Sequence, residues 1–139
     1  MNPCGVGRGE TLLSAYTNAY EADPISIFGG IIAANREIDV ETATKMKEIF
    51  LEIIIAPSFS EEALNRLTEK KNLRLLTIDM DGKATDDKQL TSVSGGLLVQ
   101  DVDRYSFDDA EISIPTEREP NEAEWEALKL AWSVVKHVK

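Results

Sequence analysis

The sequence predicts an α/β domain, a three-layer α/β/α sandwich around a mixed, mostly parallel sheet. Stretches with helical periodicity alternate with apolar runs of strand length, and the connections between them are short. The isoleucines at 53–55 form a wholly apolar run, which is typical of a strand buried on both faces of a parallel sheet. The chain has 139 residues, 42% of them hydrophobic, so we expect residues 1–139 to form a single domain with one core.

The first predicted helix lies within residues 10–23, where leucine, alanine and tyrosine recur on one face and Pro24 ends the helix. A β-branched run at 25–34 predicts the first strand, but Gly29 and Gly30 interrupt it. Glycine inside a strand marks either a bulge or a close approach of the backbone to a ligand, and both interpretations stay open here.

Two more helices alternate with two more strands. Asp39 is placed to cap the second helix, whose inward face would comprise Ala43, Met46, Ile49 and Phe50. Ser58 and Glu61 have the spacing of a capping box for the third helix. The predicted elements are, in order, helix 40–52, strand 52–57, helix 61–71 and strand 72–79.

The rest of the chain predicts a polar loop at 80–89 and a strand at 91–103 that contains the pair Gly95–Gly96. A short strand is also expected at 110–115. Asn121 and Glu124 form a second capping box, which opens the last helix. The apolar stripe of this helix comprises Trp125, Leu128, Trp132, Val135 and Val138.

Charge and composition exclude several classes of function. The 25 acidic and 15 basic residues give a net charge of −10 without a basic block, so neither nucleic acid nor an anionic membrane is an expected partner. The single cysteine, Cys4, excludes an internal disulfide, and with the single histidine, His137, it leaves too few ligands for zinc. Without a leader pattern or a long apolar run, we expect a cytoplasmic protein without a metal.

Three features are candidates for ligand binding, each with a structural alternative. The glycines at 5, 7 and 9 precede a helix and match neither a Walker loop nor a dinucleotide fingerprint, so they form either an anion-binding loop or a simple turn. Phe28 could stack on a heterocycle or belong to the core. Glu52, at the start of an apolar strand, could accept hydrogen bonds from a pterin or purine edge or be a partly exposed strand-start carboxylate.

Five blocks resemble consecutive segments of one enzyme family, the bacterial bifunctional purine-biosynthesis enzymes that combine AICAR transformylase and IMP cyclohydrolase. The resemblance covers almost the whole chain and lies within the transformylase region. The blocks are NPCGVGRGETLLSAYTNAYEADPISIFGGIIAANREID (2–39), FLEIIIAPSFSEEAL (50–64), KKNLRLL (70–76), SGGLLVQDVD (94–103) and AWSVVKHVK (131–139).

The resemblance implies a cytidine-deaminase-like fold without the deaminase zinc. It also implies transfer of a formyl group from 10-formyltetrahydrofolate, the co-substrate, to the 5-amino group of AICAR, by a homodimeric parent enzyme. In this family a catalytic Lys-His pair comes shortly before the segment that matches Asn2, so no catalytic residue is expected within this chain, and the chain is expected to be inactive alone.

The family's binding residues carry over to nine positions. The resemblance implies contacts with AICAR at Ser26, Phe28, Gly29, Asn2 and Gly5, and contacts with folate at Glu52, Ile53, Ala56 and Pro57. It assigns no role to Gly95 and Gly96. Two other functions stay open: a stand-alone nucleotide- or folate-binding α/β module in which the loop at 5–9 holds a phosphate, and a non-catalytic interaction domain.

Overall fold

The computed structural model describes residues 2–80 and 88–138. Contacts divide the chain into two compact units, Pro3–Gly82 and Lys83–Lys139. The elements of the first unit are α1 (Leu12–Ala22), β1 (Gly30–Ala33), α2 (Val40–Met46), β2 (Leu51–Ala56), α3 (Glu61–Leu67) and β3 (Arg74–Thr77). Those of the second are β4 (Lys88–Val93), β5 (Gly96–Asp101), a 3₁₀ turn (Phe107–Asp109) and α4 (Glu122–Val135).

The first unit confirms the predicted α/β class with a parallel sheet. Its three strands lie in the order β1-β2-β3 and all are parallel. Right-handed crossovers between strands that are also neighbours in sequence place both connecting helices on one face of the sheet. In agreement, α2 and α3 pack against each other. The buried hydrophobic core comprises Tyr16, Ile27, Ile38, Ala43, Met46, Leu51, Ile54, Ala56, Ala63 and Leu67.

Only one face of this sheet is covered. Ile54 is fully buried, and its neighbours in register, Ile32 and Leu75, pack against the same core. The rows on either side of this one point the other way: in one of them Ile31 is 42% exposed, and in the other Leu76 is 48% exposed. The described residues of the first unit therefore form two layers, and the third layer of the predicted sandwich is not among them.

Local hydrogen bonds explain where the helices begin. Asp39 caps α2 as predicted, its Oδ1 accepting from the Thr42 N–H at 2.7 Å. The predicted cap of α3 was wrong by two residues, because Ser60 makes that bond, with the Ala63 N–H at 3.1 Å. Ser58 instead donates its hydroxyl to Glu37, at 2.8 Å.

The prediction that Phe50 packs inward was also wrong. Helix α2 ends at Met46, several residues before the predicted boundary, so residue 50 no longer follows the helical periodicity. The Lys70 ammonium donates to the Ile49 carbonyl at 2.5 Å, which fixes the chain between α2 and β2 in a non-helical conformation. As a result Phe50 is 44% exposed.

In the second unit the predicted strand at 91–103 is a hairpin. Strands β4 and β5 pair antiparallel around a two-residue turn in which Gly95 has a φ of +86°, a left-handed conformation that favours glycine. This turn gives Gly95 a structural role, whereas Gly96 is the first residue of β5. Of the predicted loop at 80–89, residues 81–87 lie outside the described residues, and Lys88 and Gln89 belong to β4.

The last helix has its predicted cap. Asn121 and Glu124 form the capping box, and Arg118 makes two hydrogen bonds with the Glu124 carboxylate, at 2.7 and 3.0 Å. No strand forms at 110–115. Within this unit the apolar stripe is covered only at Trp125, whose ring packs against Phe107 at 6.2 Å between centroids. Leu128 is 46% exposed, and no described residue of the unit is buried.

Candidate functional site

Two exposed aromatic rings lie together at the amino ends of β1 and β2. The Gly29 N–H donates to the Phe50 carbonyl at 2.9 Å, which fixes the segment before β1 against the segment before β2. The rings of Phe28 and Phe50 are 5.4 Å apart between centroids, at 44° to each other. Phe28 is 72% exposed, so the interpretation of this side chain as core is wrong. An exposed aromatic pair of this kind can stack on a flat heterocycle.

The glycine pair beside these rings is required for two different reasons. Gly29 has a φ of +71°, in the left-handed region, although a Cβ there would meet nothing closer than the Phe50 ring at 3.7 Å. Gly30 has no such torsion, but a Cβ would lie 2.7 Å from the Ile27 carbonyl oxygen. The backbone therefore needs glycine at both positions, whether or not a ligand also approaches them.

A shift in strand register exposes Glu52. Gly30 pairs with Leu51 and Ile31 pairs with Ile53, so Glu52 has no partner on β1. Such a bulge interrupts the alternation of side chains between the two faces of a sheet. Leu51 is therefore buried, at 2% exposure, while the next side chain, Glu52, is exposed at the edge where Phe28 and Phe50 lie. The result is a carboxylate and two aromatic rings at one edge of the sheet.

Ser26 lies in the turn that joins α1 to this cluster. Asp23 ends the helix and its Oδ1 accepts from the backbone N–H groups of Ile25 and Ser26, at 3.2 and 3.0 Å. A hydrogen bond from the Ser26 side chain, followed by the one from its backbone, lowers the pKa of the Asp23 carboxyl. The Ser26 hydroxyl thus helps to hold the turn that presents Phe28.

Ala56 and Pro57 lie at the opposite edge of the sheet. Pro57 lines an open cleft of about 500 Å³ together with Asn35, Thr77, Ile78, Asp79 and Met80. Pro57 follows Glu52 by five positions, about 16 Å along an extended strand. Ligands of open parallel sheets collect at the carboxyl edge. Glu52, at the start of β2, lies at the amino edge instead.

The amino-terminal glycines face the protein's own backbone. A Cβ on Gly5 would lie 2.0 Å from the Ala19 carbonyl oxygen, and one on Gly7 would lie 2.0 Å from the Ala15 carbonyl oxygen. The glycines therefore let the chain run in close contact with α1, and Asn18 holds it there by donating to the Arg8 carbonyl at 2.7 Å. This packing explains the glycine spacing without a bound phosphate. Asn2 and Cys4 are exposed.

Sequence reasoning missed Phe50 as a site residue, together with a second cavity that it lines. The cavity measures about 310 Å³ and is formed by Glu48, Ile49, Phe50, Leu51, Lys70, Lys71, Asn72 and Leu73. The adjacent lysines and the asparagine after α3 were the available signal, but such a group usually marks an ordinary helix end.

The described part of the chain contains neither a metal cluster nor a membrane-spanning helix. No three His, Cys, Asp or Glu side chains among residues 2–80 and 88–138 converge as a metal site. In the same residues no helix has the length and apolar character that crossing a membrane requires.

Comparison with known proteins identifies the family. The family model described as AICARFT/IMPCHase bienzyme matches residues 1–139. The chain is 70% identical to the bifunctional purine biosynthesis protein PurH of Halalkalibacterium halodurans, 69% identical to that of Bacillus subtilis and 68% identical to that of Bacillus cereus. Each match covers 100% of this chain and 27% of the relative. The chain spans about a quarter of the length of these relatives, and it belongs to the AICARFT/IMPCHase bienzyme family.

Proposed function

We propose that this chain forms part of the formyltransferase that moves a formyl group from 10-formyltetrahydrofolate to the 5-amino group of AICAR in the synthesis of IMP. The observation that carries the proposal is the match of the family model to all 139 residues. The cluster at the amino edge of the sheet supports it, because aromatic rings and an exposed carboxylate suit flat heterocycles with N–H donors.

Each part of the cluster has a role in this proposal. Phe28 and Gly29 lie against the carboxamide end of AICAR, and the turn held by Ser26 positions them. The Glu52 carboxylate accepts hydrogen bonds from the N–H groups of the pterin, and Ile53 borders that ring. A pterin bound by Glu52 does not reach Pro57, since about 16 Å of strand separates the two. We therefore restrict the pterin contacts to Glu52 and Ile53.

The chemistry of the reaction explains why binding residues without a nucleophile are enough here. The amine of AICAR is a weak nucleophile because its lone pair is delocalised into the ring that carries the carboxamide. A new C–N bond forms between this amine and the formyl carbon, and the bond from that carbon to the folate nitrogen breaks. The attacking amine loses one proton and the released folate nitrogen gains one. Catalysis then depends on the orientation of two bound substrates and on removal of that proton. This chain contributes to the orientation.

The open face of the sheet supports the remaining structural proposals. The side chains of Ile31, Ile53 and Leu76 form an apolar surface that the described residues of the first unit leave open, as expected for the inner face of a three-layer, cytidine-deaminase-like sandwich. We propose that such a sandwich, with residues 1–139 as one domain, is completed in a full-length, cytoplasmic, homodimeric enzyme.

A full-length chimera tests the function. In it, this chain replaces the matching 139 residues of the Bacillus subtilis relative. We expect the chimera to formylate AICAR with 10-formyltetrahydrofolate. Glu52→Gln should raise KM for the folate about 10- to 150-fold, since losing a charged acceptor at a desolvated donor pair costs about 1.5–3 kcal/mol. KM for AICAR should change far less.

Glu62→Gln is the matched control. Glu62 is also exposed, but it lies in the first turn of α3 and not in the cluster. A folded chimera that binds either substrate without transferring the formyl group would favour a simple binding module instead. Equal increases of both Michaelis constants in Glu52→Gln would contradict the assignment of Glu52 to the pterin.

A further inference from the structure

The cavity next to Phe50 contains the cationic groups of the candidate site. Lys70 and Lys71 line it together with the Asn72 amide. The Lys70 ammonium is held by the Ile49 carbonyl at 2.5 Å, and this bond directs one cation to the cavity wall. The Lys71 side chain, at the exposed end of the same turn, has no ion-pair partner among residues 2–80 and 88–138. The two lysines therefore place positive charge at the opening of the cavity.

The acidic residues near this opening already form ion pairs with other cations. Glu48, which lines the same cavity, forms an ion pair with Lys45 at 2.7 Å. Glu69, which precedes the two lysines, pairs with Lys47 and, at 3.9 Å, with Arg66. The Lys47 contact lowers the pKa of the Glu69 carboxyl, so this group stays ionised and engaged. Lys70 and Lys71 are thus left to attract an anion in a chain whose net charge is −10.

The order of groups along this edge matches the order of parts in a folate. Glu52, the proposed ligand of the pterin, lies two residues after Phe50. The Phe50 ring suits the aminobenzoyl group, and it also lines the cavity that contains the two lysines. We propose that Lys70 and Lys71 bind the carboxylates of the glutamate tail of the folate co-substrate. The proposal rests on the proposed function, because it extends the site in which Glu52 binds the pterin.

A nucleotide phosphate is the other anion that the reaction would supply. Phosphate sites in proteins commonly use converging backbone N–H groups at a helix start or a planar arginine fork. This cavity offers neither, since it follows the carboxyl end of α3 and its cations are lysines. Two adjacent lysines on flexible stems suit several carboxylates along an extended chain, so the tail is the preferred occupant.

The experiment uses the full-length chimera described above. KM is measured for 10-formyltetrahydrofolate with one glutamate and with five glutamates, and the ratio of the two values is the readout. Lys71→Gln is the main variant, because Lys70 also bonds to the Ile49 carbonyl. Removing one exposed cation should raise KM for the five-glutamate form about two- to fivefold. The ratio of KM for the one-glutamate form to KM for the five-glutamate form should fall by the same factor. Lys71→Arg, which keeps the charge, should restore the ratio.

Lys129→Gln is the control, an exposed lysine of α4 that pairs with Glu126 at 3.1 Å. It should leave the ratio unchanged. Added salt should reduce the preference for five glutamates in the chimera and reduce it less in Lys71→Gln. An unchanged ratio in Lys71→Gln, or a rise in KM for AICAR instead, overturns the tail assignment while formyl transfer itself continues. Absence of formyl transfer in the unsubstituted chimera overturns the proposed function instead.

Discussion

Substitution of Gly29 tests the geometry at the centre of the candidate site. Gly29 has a φ of +71°, and residues with a Cβ lose about 1–2 kcal/mol in the left-handed region. Steric overlap adds little, since a Cβ added at this position would have its nearest neighbouring atom 3.7 Å away. Gly29→Ala should therefore destabilise the local structure by about 1–2 kcal/mol, and β-branched Gly29→Val by about 2–3 kcal/mol.

Hydrogen exchange measures this local free energy. The residue 29 amide bonds to Phe50 and the amides of β1 follow directly, so peptides covering 23–34 report on the affected segment. In the full-length chimera, a loss of 2–3 kcal/mol corresponds to exchange about 30- to 150-fold faster in Gly29→Val. Peptides covering α4 in the second unit serve as the internal reference.

Asparagine separates torsional strain from crowding. Asn tolerates the left-handed region better than other residues, so Gly29→Asn should exchange more slowly than Gly29→Ala. At Gly30, where a Cβ would lie 2.7 Å from the Ile27 carbonyl oxygen, asparagine should be no better than alanine. Equal exchange for Asn and Ala at position 29, or normal exchange in Gly29→Val, would refute the argument from φ.

Three further predictions concern local structure. Burial raises the pKa of Tyr16 from 10.0 to about 12. The stability that this neutral phenol contributes is therefore complete below pH 10 and is lost as the pH rises towards 12. Ultraviolet titration, with Tyr16→Phe as reference, should show this late ionisation. The lowered pKa of Asp23 means that its stabilising effect is present above its ordinary pKa and lost on acidification, and Ser26→Ala should raise that pKa in an NMR titration. Asn121→Ala should weaken the start of α4 by about 1 kcal/mol, seen as faster amide exchange there, whereas Asn121→Asp should keep the cap.

Local rules were enough to predict most elements of the first unit. Helix caps such as Asp39 and apolar runs such as 53–55 act within a few residues, and the structure has the cap and the strand. The expectation that this strand is buried on both faces was wrong for the described residues, because Ile54 is buried while Ile53 and Ile55 are only half-buried. Boundaries were less accurate, since Ser58 had the capping-box spacing but Ser60 caps α3, and the Ser58 hydroxyl bonds to Glu37 instead. That contact joins residues 21 positions apart, which a local pattern does not contain.

The candidate site depended on information that the sequence carries only indirectly. The family resemblance singled out Phe28, Gly29 and Glu52, and the structure brings their segments to one edge of the sheet. Phe50 was missed because the helical periodicity of α2 continued past the true helix end. The bulge that exposes Glu52 is a property of the pairing between β1 and β2, so neither strand alone predicts it.

The open face of the parallel sheet also has a consequence for solubility during synthesis. The first unit has only local crossovers, so it can fold early, with Ile31 and Leu76 still exposed to other chains and Ile53 half-buried between them. Arg74 pairs in register with Ile53 on the edge strand β3, which places a charge within this apolar surface. Charges at such positions oppose the pairing of exposed strand edges between molecules. We therefore expect Arg74 to oppose aggregation for as long as the face remains uncovered.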